Sequence, residues 1–529
     1  MRNHVLAALS LFLSAAGLAA AGDGDGLRDF EFVKDVNPCL ELSNPAALSG
    51  WNGKIAVVNA GFEKSNGGLV SLTESDDSYK VGASTESFYR LSEKVTFHGK
   101  LGWSYSAGKN MGGAILMNPD YNPVNFYESD PTTVGNKQQE WYSVAGGMAY
   151  KFNDAWSAGV SFDYDCSDLT KIKDPRFSNL WIDMKIKAGA GFKPSDNLFL
   201  GVSAIYHSTL EQVVGGKYGP TDKQYFIMVD RGGFYGTVSE LGADNEVITT
   251  GSKRPMNNAF YGGSLQAVIG NRFSNEVTFL MRDGYYGYKN SSSSPVFFEF
   301  SGIQARYDGS ALFHSKNSIH KVSLSAGFES LGNDENSFEI VKNSTSGITQ
   351  IQYKGVNHVL DRIVIDGNLG YRWYSGIEGE RPATTVGADV AFYSKSQTTE
   401  IYPFYRNHSV TRIDADIFAS HDFKVGKSYL IPELHVLAHT GFGVDKEDGA
   451  YASTTGSKIK SFDVWLGKQF EYDTATRAGA ELGITWAKQI RKVSLYAKAS
   501  DRFMYMLAEP VSLAGRMRNV AMVTVGCTF

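Results

Sequence analysis

His435 and His439 stand four residues apart, and Glu433 precedes them by two. Imidazoles at that spacing on a helix could share a metal ion. On a strand they would share a face but lie ~13 Å apart, at about 3.3 Å per residue, too far for one metal. The flanking residues alternate as a strand does, so the trio is expected to line a wall. Asp163, Asp165 and Asp168 crowd around Cys166, but a calcium loop wants a glycine-enabled turn, and no glycine falls between Asp163 and Asp174. Cys39, Cys166 and Cys527 are odd in number and far apart, which implies neither a disulfide framework nor a metal knot. The sequence carries no phosphate-binding glycine loop and no serine nucleophile elbow. These residues predict no catalytic centre, no cofactor and no metal. A hydrolytic site assembled from distant strands would leave no such motif, so an enzyme stays open as a third reading.

The remaining chemistry is charge at alternate positions: Asp183, Lys185, Lys187 and Lys193 in one stretch, then Arg477, Glu481, Lys492 and Lys498. Their neighbours explain the spacing. Ile182, Met184, Ile186, Ala188, Ala190 and Phe192 oppose the first group. Ala478, Ala480, Leu482, Ile484 and Trp486 oppose Arg477 and Glu481, and Val493, Leu495, Ala497 and Ala499 oppose Lys492 and Lys498. Phe462 to Phe470 alternates too, with mostly apolar even positions. Strand side chains point alternately to two faces. Here one face is apolar, with aromatics near its ends, and the other holds charges, Ser and Gly.

Nineteen such segments can be drawn: 54–64, 79–91, 95–108, 138–151, 155–166, 181–193, 197–209, 257–270, 274–287, 296–308, 318–331, 359–373, 384–396, 408–423, 427–441, 460–472, 476–488, 490–504 and 515–529. Many reach about 11 to 15 residues, where globular strands have a mode of about 5 to 6 and a tilted membrane strand needs about 9 to 11. Some connections are tight, as at Asn153-Asp154. Others are long and polar: 110–137, 167–180, 210–256, 332–357 and 443–458. Short turns on one side and long loops on the other match a transmembrane antiparallel β-barrel with periplasmic turns and extracellular loops. Bacterial barrels have even strand counts, so one segment is spurious or belongs to a plug; about 18 strands are expected, within a range of about 14 to 18. A charge on the lipid face costs about 2–4 kcal/mol for Arg or Lys at midplane. The charges listed above, with Glu433, His435 and His439, are therefore expected to line the lumen.

The chain opens with Arg2 and His4, an apolar run from Val5 to Leu18, and Ala19-Ala20-Ala21 before Gly22. This reads as a cleavable signal peptide over 1–21, then an N-terminal segment 22–53 that does not alternate, then the barrel 54–529. Beyond the signal no segment approaches the ~20 apolar residues of a membrane helix. Net charge is −5 with 56 glycines and 14 prolines, and mean hydropathy is −0.23. Nothing in this balance suggests nucleic acid, whose binders carry a basic face.

The last strand ends Val523, Val525, Cys527, Phe529 on one face. It resembles the recognition signal that barrel-insertion machinery reads, with Phe529 as the terminal aromatic. Asn44-Pro45-Ala46, just after the signal, is similar to the start of fatty-acid-transporter (FadL-like) barrels, in which the N-terminal segment folds into the lumen as a hatch. A plain turn into the first strand is the other reading of those three residues. Asn44-Pro45-Ala46, Ser87 to Leu91, Phe97 to Lys100 and Lys173 to Arg176 together resemble an uncharacterised family of Bacteroidota outer-membrane barrels. That resemblance implies fold and location. It also implies a nutrient-uptake setting beside TonB-dependent receptors and surface lipoproteins. Three functions follow as expectations: a channel or uptake accessory for a small solute, a closed barrel that docks such a receptor or lipoprotein through long aromatic loops such as Tyr121–Tyr127 and Gly232–Tyr235, or a barrel enzyme.

Overall fold

A computed structural model describes residues 27–219, 222–242, 247–251, 253–289, 291, 294–342, 349–453 and 459–529. The expected signal peptide 1–21 and parts of the polar patch 290–294 lie outside them. Eighteen antiparallel strands form the wall: β1 Lys54–Asn66, β2 Asp77–Arg90, β3 Val95–Met111, β4 Gly135–Lys151, β5 Trp156–Lys171, β6 Arg176–Ser195, β7 Leu198–Gly216, β8 Arg254–Ile269, β9 Phe273–Gly287, β10 Val296–Ser315, β11 Ser318–Lys342, β12 Thr349–Ser375, β13 Thr384–Ile401, β14 Phe404–His421, β15 Ser428–Ala450, β16 Arg477–Ile490, β17 Val493–Met506 and β18 Met517–Thr528. A short piece, Phe423–Val425, continues β14 along β15. Each strand pairs with the next, and β18 returns to β1 from Val57↔Thr528 to Asn66↔Asn519. The backbone N–H groups of Phe529 and Ala56 each donate to the other residue's carbonyl, which completes the ring.

The alternation sets inside and outside. Val160, Phe162, Leu265, Val277, Phe279, Leu369, Leu482 and Val525 form an exposed apolar belt on the outer face, the surface a transmembrane barrel gives to lipid. The wall turns at one end are short. Between β8 and β9, Gly270 and Asn271 both take positive φ, 62° and 52°, the conformation that suits a tight hairpin. The other end carries the long connections.

Three expectations change. Segment 460–472 is not a wall strand: Lys460–Ser461 joins an inner sheet and Asp463–Thr474 is an α-helix. Phe462, Trp465 and Leu466 stand at helical spacing, and Trp465 and Leu466 are the buried pair. This is the nineteenth segment, and it belongs to the filling of the ring rather than to its wall. The loop expected over 167–180 shrinks to a short connection between Lys171 and Arg176. Much of 332–357 and 443–458 is strand, since β11, β12 and β15 run 25, 27 and 23 residues. Above the apolar belt both faces meet polar surroundings, so alternation fades while the ladder continues.

The core lies inside the ring and is built from the chain's own segments. At the short-turn end sit α1 (Phe30–Asp35), α2 (Pro38–Glu41) and a 3₁₀ helix, Pro45–Gly50. Asp29 caps α1 by accepting from the Phe32 amide, Pro38 opens α2, and Asn44 caps the 3₁₀ helix with Pro45 at its first position. At the long-loop end a four-stranded inner sheet joins Lys460–Ser461, Tyr235–Glu240, Phe226–Asp230 and Asn125–Glu128. The helix Asp463–Thr474, α3, packs beside it through Trp465 and Leu466, which meet Tyr127, Met228 and Phe234.

Candidate functional site

The inner segments form a floor and a roof. In the floor, Phe30, Phe32, Leu40, Leu48 and Trp51 pack against wall residues Phe88, Leu312, Ile319 and Tyr374. Each such side chain contributes about 1.5–3 kcal/mol when removed from water. Charge registers the fit: Lys321 reaches Asp35 at 2.7 Å and also Glu41, Lys34 pairs with Glu86 at 2.9 Å, and Glu276 accepts from the Ser43 amide at 2.9 Å.

Asn44, Pro45 and Ala46 lie buried against the wall. The Asn44 Oδ1 accepts from the Ala46 amide at 2.9 Å, and its Nδ2 donates to Gln266 at 2.9 Å. Wall glycines make the room. A Cβ at Gly159 would lie 2.5 Å from the Pro45 carbonyl carbon, and one at Gly189 would lie 2.0 Å from Asn44 Oδ1. The glycines on the polar face of β5 and β6 thus let backbone approach backbone.

The roof is anchored by buried cations. The stretch Met117–Pro123 drops into the barrel, where Arg282 donates to the Tyr121 carbonyl at 2.9 Å. Arg362 donates to the carbonyls of Asp120, Tyr121 and Asn122 at 3.1, 3.2 and 3.1 Å, and pairs with Glu329 at 3.0 Å. Lys395 pairs with Asp120 at 2.7 Å and holds that carboxyl at about 2, well below its ordinary value. Glu128 and Lys171 form a fully buried pair at 2.5 Å. In the turn after Phe226–Asp230, the Asp230 carboxylate accepts from the amides of Gly232 and Tyr235 at 2.9 and 3.0 Å. Burial raises its pKa to about 6. The tip of that turn touches the wall: Thr399 and Arg406 donate to the carbonyls of Gly232 and Gly233, each at 3.0 Å. Tyr121–Tyr127 and Gly232–Tyr235, the aromatic loops suited to docking a partner, both turn inward: Tyr121 packs by Phe260, Phe126 by Tyr286, and Tyr127 by Phe234.

Inside the ring lie cavities lined by polar, charged and apolar groups. One of about 680 Å³ is bounded by the Met117–Pro123 stretch, by α3 and by wall residues of β10 to β14. A second, about 520 Å³, is lined by Asp389, Asp414, Asp416, His439, Arg477 and Arg502, and Tyr472 borders both. The wall of β1 to β3 is lined by Gly61, Gly82, Ser84, Gly102 and Ser104 beside a third cavity of about 350 Å³.

Most of the expected lumen residues face this interior. Glu433 meets Lys498 at 2.6 Å and His435 at 3.1 Å, while His435 also meets Asp416 at 2.9 Å. His439 lies between the Asp414 carboxylate, 2.6 Å, and the Asp473 carbonyl of α3, 2.9 Å. Arg477 donates to the Tyr472 carbonyl at 3.1 Å, and Glu481 pairs with Arg502 at 2.7 Å. On the far wall Asp183 meets His207 at 2.8 Å, Lys185 stands across from Asp163, and Lys187 reaches the Ser43 carbonyl at 3.4 Å. Two do not line the interior. Lys193 is exposed near the end of β6 and pairs with Asp196 in the short turn, and Lys492 lies in the turn between β16 and β17. Both keep the parity of the polar face, but they stand at the turn end of the wall. Phe529 lies at the closing seam.

Sequence reasoning passed over Lys395 and Arg412, although both stand on the polar face of segments drawn as strands. Asp120 and Asp473, their partners at 2.7 and 2.9 Å, come from a loop and a helix with no period to announce them. Among the described residues, no group of three or more His, Cys, Asp or Glu side chains could hold a metal ion.

A closed eighteen-stranded antiparallel wall, belted with apolar side chains and filled by its own loops, defines an outer-membrane-type β-barrel. Residues 45–529 match the family of unknown function DUF6850, and the chain belongs to that family. No curated protein matches it by sequence. Similar solved structures include BauA, the ferric preacinetobactin receptor from Acinetobacter baumannii, at 8% identity and TM-score 0.39, with 90% of this chain and 80% of that one covered. The ferric-catecholate import receptor Fiu from E. coli K12 gives 6% and 0.38, with 90% and 81% covered. A mutant of the TodX monoaromatic hydrocarbon channel gives 11% and 0.30, with 97% of each chain covered.

Proposed function

We propose that the protein is exported on its first 21 residues, resides in the outer membrane, and serves as a gated channel or uptake accessory for a small polar solute. The observation that carries this reading is a chamber with charged and polar lining inside the ring, under loops folded back into it. The floor of the barrel is one continuous N-terminal segment that enters the wall at Lys54, so it can leave the lumen without parting a wall strand. The hatch role of Asn44, Pro45 and Ala46 follows from the same placement. Its roof is three loops tied to the wall by ion pairs and carbonyl contacts, which can rearrange without breaking the strand ladder. The barrel then opens to the periplasm by movement of the floor and to the exterior by movement of the roof.

Planar-bilayer recording tests this. The intact protein should conduct weakly. A variant without residues 27–50 and with the roof turn 222–242 replaced by a short linker should give stable single-channel currents. If that variant folds as a heat-modifiable barrel and still passes no current, transport is refuted. A closed barrel that docks a TonB-dependent receptor or surface lipoprotein would then account for the fold.

A further inference from the structure

We infer that the larger chamber binds a neutral, polyhydroxylated ligand, a sugar of one or two rings. This deepens the proposed function, since it names the solute class for the same compartment.

Size comes first. A volume of about 680 Å³ falls inside the range of about 300–1,000 Å³ typical of small-molecule sites. Charge comes second. The cations on this wall are already paired: Lys395 with Asp120 at 2.7 Å, Arg412 with Asp473 at 2.9 Å, Arg362 with Glu329 at 3.0 Å, and Arg306 with Asp366 at 3.2 Å. A charged ligand would give up its hydration to meet a wall whose charges are already answered. An apolar ligand fares no better, because it would strip water from those same ion pairs and recover no hydrogen bond.

A neutral ligand with many hydroxyls avoids both costs. Gln397 and Asn118 border the cavity, and each amide can donate and accept at once, as a hydroxyl requires; Gln304 and Gln469 also border it but already bond Glu329 and Asp473. The Arg362 Nε is a buried N–H that no acceptor among the described residues satisfies, and Arg362 is part of this wall. Tyr393 and Phe470 add ring surface for the C–H face of a sugar.

Full-length protein in detergent should be titrated calorimetrically with glucose, galactose, mannose, N-acetylglucosamine, maltose and cellobiose. Glucuronate, glucosamine and inorganic phosphate serve as charged comparators. At least one neutral sugar should bind, and the charged comparators should bind at least about tenfold more weakly, a difference of ~1.4 kcal/mol. Gln397→Ala and Tyr393→Phe should preserve the heat-modifiable barrel, and Gln397→Ala should weaken the sugar by about tenfold or more. No binding of any neutral sugar at about 10 mM, where millimolar ligands saturate, overturns the inference. So does tighter binding of a charged comparator, or sugar binding untouched by Gln397→Ala. Sugar binding by a barrel that never conducts would keep this site and remove the transport role. Conduction without sugar binding would do the reverse.

Discussion

Substituting Gly159 with alanine should unseat the floor while leaving the wall intact. Gly159 lies on the inner face of β5, directly paired with Gly189 on β6. The added methyl would fall 2.5 Å from the Pro45 carbonyl carbon and 2.6 Å from the Ala46 nitrogen. Carbon atoms rest about 3.5–4.0 Å apart, so the 3₁₀ helix must retreat by roughly 1 Å. Both contacts are backbone, and no side chain can rotate aside. Overpacking of this kind costs about 1–3 kcal/mol, which is about 5- to 150-fold in the local opening equilibrium, at ~1.4 kcal/mol per tenfold. The strand has no objection of its own, because alanine suits a strand interior better than glycine by roughly 0.5–1 kcal/mol. Hydrogen exchange in detergent reads the outcome. Peptides covering 40–53 should exchange faster by that factor, with those covering 135–151 and 176–195 unchanged. Gly216→Ala, whose methyl would meet nothing within 4 Å, is the control. Exchange over 40–53 no faster in Gly159→Ala than in the control would refute the claim that close backbone contact seats the floor.

Lys171→Met should strand the Glu128 carboxylate in a fully buried site and destabilise the roof by about 3–5 kcal/mol. Denaturant titration monitored over the inner sheet checks this, and adding Glu128→Met should restore part of the loss. Asp230 titrates near 6 in the fold because burial raises it from 3.8. The native state therefore holds its proton more tightly than the unfolded chain does. The stabilisation is complete below about pH 4, is lost as pH rises towards 6, and is constant above. Asp230→Asn keeps an oxygen for the Gly232 and Tyr235 amides but carries no charge. Its inner hairpin should lose the pH 4–6 step in intrinsic-rate-corrected hydrogen exchange, and a step that persists would assign it elsewhere.

The wall was legible because an apolar outer belt and a polar interior impose a period of two on every strand between them. Eighteen of the nineteen segments drawn from sequence coincide with strands. The false one, 460–472, mixed both periods: Val464 and Leu466 fit a strand, while Phe462, Trp465 and Leu466 fit a helix, and tertiary packing chose the helix. The inward charges on β15 to β17 were readable from the same period. The interior was not. Asp120 reaches Lys395 across 275 positions in the chain, and Arg282 holds Tyr121 across 161. Such pairings follow from how loops fold back into the ring, which no local pattern records.

The floor's seat also draws on most of the ring. Its partners lie on β2, on β4 to β12 and on β17, all later in the chain than the floor itself. The complete seat for the N-terminal stretch therefore exists only once most of the cylinder does. The staves of that cylinder, for their part, pair with one another and not with the floor, so their ladder is whole without it.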